Sequence, residues 1–97
     1  MSHYVLLCNY TDQGIRNIKD APQRRAAARE IGKKLGIEVK TTFSAMGTYD
    51  LIIHVEAPSD EALTKWALSV AARGNIRTNT VKVFPVEEFD KIIAGIG

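Results

Sequence analysis

The chain has 97 residues, enough for one domain with one modest core. Apolar residues make up 45% and charged residues 25%, an ordinary globular composition. A formal net charge of only +2 argues against an electrostatic nucleic-acid binder, and no run approaches the roughly 18 apolar residues that span a bilayer.

Met1-Ser2-His3-Tyr4 enters a strand-like run at once, with no basic region or cleavage site. The expected location is therefore cytoplasmic. Cys8 is the only cysteine, which excludes an internal disulfide and argues against a thiolate metal cluster. Its apolar surroundings predict a buried, inert thiol.

Residues 3–10 form the first predicted strand. Tyr4, Leu6, Cys8 and Tyr10 fall on one face, Val5 and Leu7 on the other. A strand apolar on both faces is covered on both. In so small a protein one layer of helices covers one side, and a second subunit is the expected cover of the other. The pattern leaves open which set meets the helices; if it is Val5 and Leu7, then Tyr4, Leu6, Cys8 and Tyr10 supply a central strip on the open face.

Thr11 caps a short helical turn reaching about Lys19. Asp20 is expected to cap a helix with Pro22 in its first turn, running to Leu35 and stopped by Gly36. Ala27, Ala28, Ile31 and Leu35 form its apolar stripe. Arg25, Arg29 and Lys33 recur every four residues and read as a solvated face rather than an anion site.

Residues 37–45 alternate as a second strand, followed by the turn Met46-Gly47-Thr48 and a strand from Tyr49 to Glu56. So short a connection predicts an antiparallel hairpin, with Gly47 supplying a positive φ or a bulge. Ser59 caps the next helix, with Leu63, Trp66, Ala67 and Val70 as its buried stripe and Gly74 as its stop. A fourth strand is expected over 78–84, with Val81 and Val83 inward. A terminal helix over 86–94 follows.

The order βαββαβ plus a short C-terminal helix predicts an α+β, ferredoxin-like domain over residues 1–97. Its four-stranded antiparallel sheet carries the helices on one face. If Leu51, Ile53 and Val55 face the helices, Asp50, Ile52, His54 and Glu56 face the open side, joined by Lys40, Thr42, Ser44, Lys82 and Phe84.

His54 and Glu56 are the candidate catalytic pair, since a histidine beside a carboxylate can move a proton near neutral pH. The competing structural role is a polar cross-strand pair. Thr11, Gln13, Tyr49, Asp50, Asn75 and Arg77 are candidate ligand-binding residues at strand ends and loops. Asp50 could instead take backbone N–H donors, and Arg77 is expected to tie Asp50 or Glu56. No set of three or four ligands for a metal is readable, and no cofactor is expected.

Gly47-Thr48-Tyr49-Asp50 resembles the signature of the GYD-domain family, with one threonine between the glycine and Tyr49-Asp50. Residues 11–20 with Pro22 and Arg25, the junction over 56–60 and the lead-in over 74–78 are similar to the family's pattern too. The resemblance implies a ferredoxin-like domain with dimeric, α/β-barrel-like association. It implies no general activity, and fold alone supplies none.

The resulting functional expectation is an oligomeric small-molecule-binding or assembly module. It would form a homo-oligomer through the open sheet face, with no nucleic-acid or membrane partner. The alternative is a cofactor-free dimeric-barrel enzyme performing proton transfer, isomerisation or oxygenation with His54 as base.

Overall fold

The computed structural model describes all 97 residues. Four strands, β1 (Ser2–Tyr10), β2 (Glu38–Ser44), β3 (Leu51–Ala57) and β4 (Ile76–Val83), form one antiparallel sheet in the order β2-β3-β1-β4. Helices α1 (Asp12–Arg16), α2 (Ala21–Lys34), α3 (Asp60–Ala71) and α4 (Val86–Ala94) complete the chain, with a 3-10 turn at Ile18–Asp20 before α2.

Local chemistry explains most boundaries. The Thr11 hydroxyl accepts from Gly14 N–H at 3.1 Å and opens α1. Ser59 does the same for α3 through Ala62 N–H at 3.1 Å. Asp20 precedes α2 but its side chain makes no capping bond, so Pro22 in the first turn is the local start signal. The link between β2 and β3 takes six residues, 45–50, rather than the three of the expected turn. Gly47, at φ 107°, supplies its left-handed step.

The core lies between the sheet and α2 and α3. Tyr4, Leu6 and Cys8 from β1 meet Leu51, Val55, Leu63 and Trp66 there. This settles the orientation of β1, which the sequence leaves open: Val5 and Leu7 face the open side. Both alternating sets are apolar, so periodicity did not rank them. The larger Tyr–Leu–Cys set fills the space under the helices. Gly32 in α2 lets the indole of Trp66 approach closely: a Cβ there would sit 3.2 Å from Nε1. The indole N–H donates to Ala28 carbonyl at 2.8 Å, which satisfies its buried polar atom.

Two further corrections follow from register. β2 carries a bulge between Val39 and Thr41, across from Val55 and His54. Beyond it, Thr42 and Ser44 pair with Ile53 and Leu51 and share their helix-side face. Only Lys40 of the expected trio reaches the open side. In β4, Lys82 pairs with Tyr4 and lies on the helix side, while Val81 pairs with Val5 and lies on the open side. Phe84 falls just beyond β4.

Candidate functional site

The open sheet face gathers the first cluster. Antiparallel pairing sets His3 beside Glu56, and Val5 beside His54. His3 Nδ1 lies 3.0 Å from His54 Nε2, and the rings stack at 5.2 Å between centroids with 22° between planes. One nitrogen donates and the other accepts, so the contact needs a lone pair on one ring. The other edge of His3, Nε2, lies 3.5 Å from Glu56 and 3.6 Å from Glu88 in α4.

Glu38 and Glu56 stand directly opposite one another, a like-charge pair that costs stability when unrelieved. The bulge relieves it by swinging Lys40 between them, at 3.1 Å from Glu38 and 3.2 Å from Glu56. These bonds raise the Lys40 pKa, with Glu38 the larger cause. The Lys40 bond likewise holds Glu56 below the usual carboxylate range. A carboxylate stabilised in this way is a weaker base, and it is held on Lys40 and His3. His3 lies near the terminus, and no local pattern marks it. Its pairing with His54 spans 51 positions and depends on register, which local pattern does not carry.

A second cluster sits at the loop end of the sheet. Thr11 N–H donates to Asn75 carbonyl at 3.1 Å and its hydroxyl donates to Gly74 carbonyl at 2.5 Å. Gln13 donates to Arg73 carbonyl at 3.1 Å and to the Asn75 side chain at 3.0 Å. Thr11, Gln13 and Asn75 thus come together and tie the start of α1 to the lead-in of β4. Asp50 stands across the end of β1: its carboxylate accepts from Tyr10 N–H at 2.9 Å and its own N–H donates to Cys8 carbonyl at 2.9 Å. Tyr49, half-buried, precedes it in the connection. Arg77 departs from expectation. It pairs with Asn9 on the open face and forms no ion pair, because Glu56 is held by Lys40 and His3 at the other end of the sheet.

A third group was not read from the sequence. On the helix side, the Tyr4 hydroxyl donates to Asp60, and Lys82 Nζ lies 3.0 Å from the same carboxylate oxygen. The bonds from Tyr4 and then Lys82 lower the Asp60 pKa. Burial, followed by the Asp60 bond, raises that of Tyr4. With Thr80 and Leu68 these residues border a shallow cleft of about 250 Å³ between α3 and β4. A second cavity, about 80 Å³, lies between α2, α3 and the sheet, with Leu6, Cys8, Ile53 and Trp66 among its walls. Neither main cavity is lined by His54 or Glu56. No group of three or more His, Cys, Asp or Glu side chains is disposed to hold a metal ion. No helix is long and apolar enough to cross a membrane.

Comparison with known proteins bears on both fold and family. A family model described as the GYD domain matches residues 4–93. A Thermus thermophilus protein named glutamine synthetase and cystathionine beta-lyase binding protein is 27% identical over 89 residues, covering 91% of this chain and 94% of its own length. Among solved structures, a feast or famine regulatory protein from M. tuberculosis, crystallised with L-methionine, superposes with a TM-score of 0.66 at 19% identity over 88% of this chain. This chain spans about half of that regulator, 51% of its length. The structure called FFRP-DM1 is matched over its full length, with a TM-score of 0.55 at 22% identity over 87% of this chain. These likenesses establish a shared fold.

Proposed function

The chain belongs to the GYD domain family, and on that premise we propose that it is a binding module that self-associates through its open sheet face. The observation that carries this reading is the uncovered apolar surface. Val5, Leu7 and Ile52 stand on the central strands of that face, with Val81 and Phe43 on the flanking strands, 42% and 60% exposed. α4 adds Val86, Phe89, Ile92 and Ile93, all at least 47% exposed, and none of its residues is buried. Glu88 of α4 reaches His3 on the open face, so the two apolar surfaces adjoin.

Area supports the same reading. The chain exposes 6468 Å², whereas a folded monomer of its mass exposes about 5,500 Å². The excess is on the order of the 800 Å² that each partner buries in a standard interface. Central strands with solvent-facing valine and leucine are otherwise an aggregation liability.

The assembly would present its remaining surface to other molecules. The Thermus relative's name supplies the class of partner, an amino-acid-metabolising enzyme. The enzyme alternative has less support, since His54 is engaged by His3 and neither main cavity reaches it.

Size-exclusion chromatography with light scattering tests the proposal. The native chain is expected as a dimer or larger closed oligomer at micromolar concentration. Leu7→Glu is expected to elute as a folded monomer with an unchanged circular dichroism spectrum. A native chain that is itself monomeric would overturn the reading.

A further inference from the structure

We propose that the cavity between α2, α3 and the sheet is a binding site for a short aliphatic anion, its hydrocarbon end inside and its charged head at the rim. The proposal deepens the binding-module reading and rests on it for biological role, though the cavity itself belongs to a single chain.

The space exists because small side chains line it. Ala21 and Ala28 on α2 and Ala67 on α3 face Leu6, Leu51 and Ile53 of the sheet. Interiors close-pack, so a gap of this kind between two layers is unusual. Its walls offer hydrocarbon. Cys8 adds a thiol whose pKa burial pushes up to about 11, so it stays neutral and unreactive there. A volume of about 80 Å³ is roughly half that of an apolar cavity known to hold benzene. A branched chain of about four carbons fits that comparison, with a fifth carbon at the rim carrying the head, and an aromatic ring does not.

The rim sets the sign of the head group. Arg24, Arg25 and Arg73 line the cavity together with Asn75, and no Asp or Glu does. Arg24 is committed to the backbone, donating to Asn17 carbonyl at 2.7 Å and to Gly14 carbonyl at 3.2 Å. Arg25 and Arg73 belong to none of the ion pairs of the chain. Guanidinium groups recognise carboxylate or phosphate through paired N–H donors. A zwitterionic amino acid would bring an ammonium toward three cations with no compensating acid. The chemistry therefore selects an aliphatic carboxylate or phosphate over the corresponding amino acid.

Trp66 is the only tryptophan and borders the cavity, which makes its fluorescence a direct reporter. Titration with 4-methylpentanoate is expected to give a saturable change. L-Leucine, which adds only the ammonium, and 4-methylpentan-1-ol, which lacks the charge, are each expected to bind at least about tenfold more weakly, the scale of one charged hydrogen bond. Isopentyl phosphate binding more tightly than the carboxylate would support the site and assign the head as phosphate. Ala67→Leu, which fills the space, should abolish the change. Arg73→Gln, at an exposed position, should weaken binding about tenfold without touching the core. Equal binding of the alcohol, undiminished binding by both variants, or no saturation by either anion overturns the proposal. The titration is repeated on Leu7→Glu. Binding there that matches the native chain supports a site within one chain, whatever the oligomeric state proves to be. Loss of binding there, with the fold intact, overturns it.

Discussion

Gly14 shows how one residue can hold two distant segments together. Its backbone lies so close to the lead-in of β4 that a Cβ would stand 2.0 Å from the Asn75 carbonyl oxygen. That oxygen is already the acceptor for Thr11 N–H. The clash is with backbone, so no rotamer change relieves it. Gly14→Ala is expected to destabilise the chain by about 3 kcal/mol, the upper end of ordinary overpacking. Urea unfolding measures it, and a cost within experimental error would contradict the close approach. Asp60 carries a different residue-scale consequence. Its folded-state pKa is lowered by Tyr4 and Lys82. A depressed carboxylate contributes stability that is present above its unfolded pKa and lost as pH falls through the folded value. Native chain and Asp60→Asn should therefore differ most in thermal midpoint near neutral pH and converge below about pH 4. A gap that stays constant across that range would sink the Tyr4–Asp60–Lys82 account.

At the scale of elements, much was legible and the reasons for the rest are specific. Helical spacing marked α2, α3 and α4; Gly36, at φ 77°, lies just past the cap of α2 as expected, whereas α3 ends at Ala71, three residues before Gly74 at φ 86°. β1 was readable as a strand but not as an oriented one, because both of its faces are apolar. The bulge in β2 left no signal: Val39, Lys40, Thr41, Thr42 and Phe43 alternate well enough to hide an extra residue. Its consequence, Lys40 between two glutamates, decides how Glu56 is held. Among candidate site residues, Thr11, Gln13 and Asn75 do converge, and Asp50 lies across the β1 end with its carboxylate bound to backbone. The His3–His54 contact needed the register of two strands half the chain apart. α4 raises its own expectation. No residue of it is buried, so it adds little to the fold of one chain. In the Leu7→Glu background, removing residues 86–97 should change unfolding free energy by no more than about 0.5 kcal/mol, as for surface changes generally. A large loss would mean that α4 belongs to the domain rather than to its partner.

The whole molecule is thin. Its extents are 53 × 31 × 17 Å, and its radius of gyration of 14.7 Å exceeds the roughly 12.5 Å of a compact chain of this length. One sheet with helices on a single side accounts for the short dimension. The free helix at the C-terminus extends the shape beyond that layer pair. Such a molecule buries little by itself, with 12 of 97 residues buried and no charged residue among them. On the proposed reading, a second copy would cover the sheet face and meet α4 at once. Sedimentation equilibrium of the native chain across the micromolar range tests this most directly. The account predicts a dimer or larger closed assembly that Leu7→Glu converts to folded monomer. A single monomeric species throughout, with the fold intact, would contradict it.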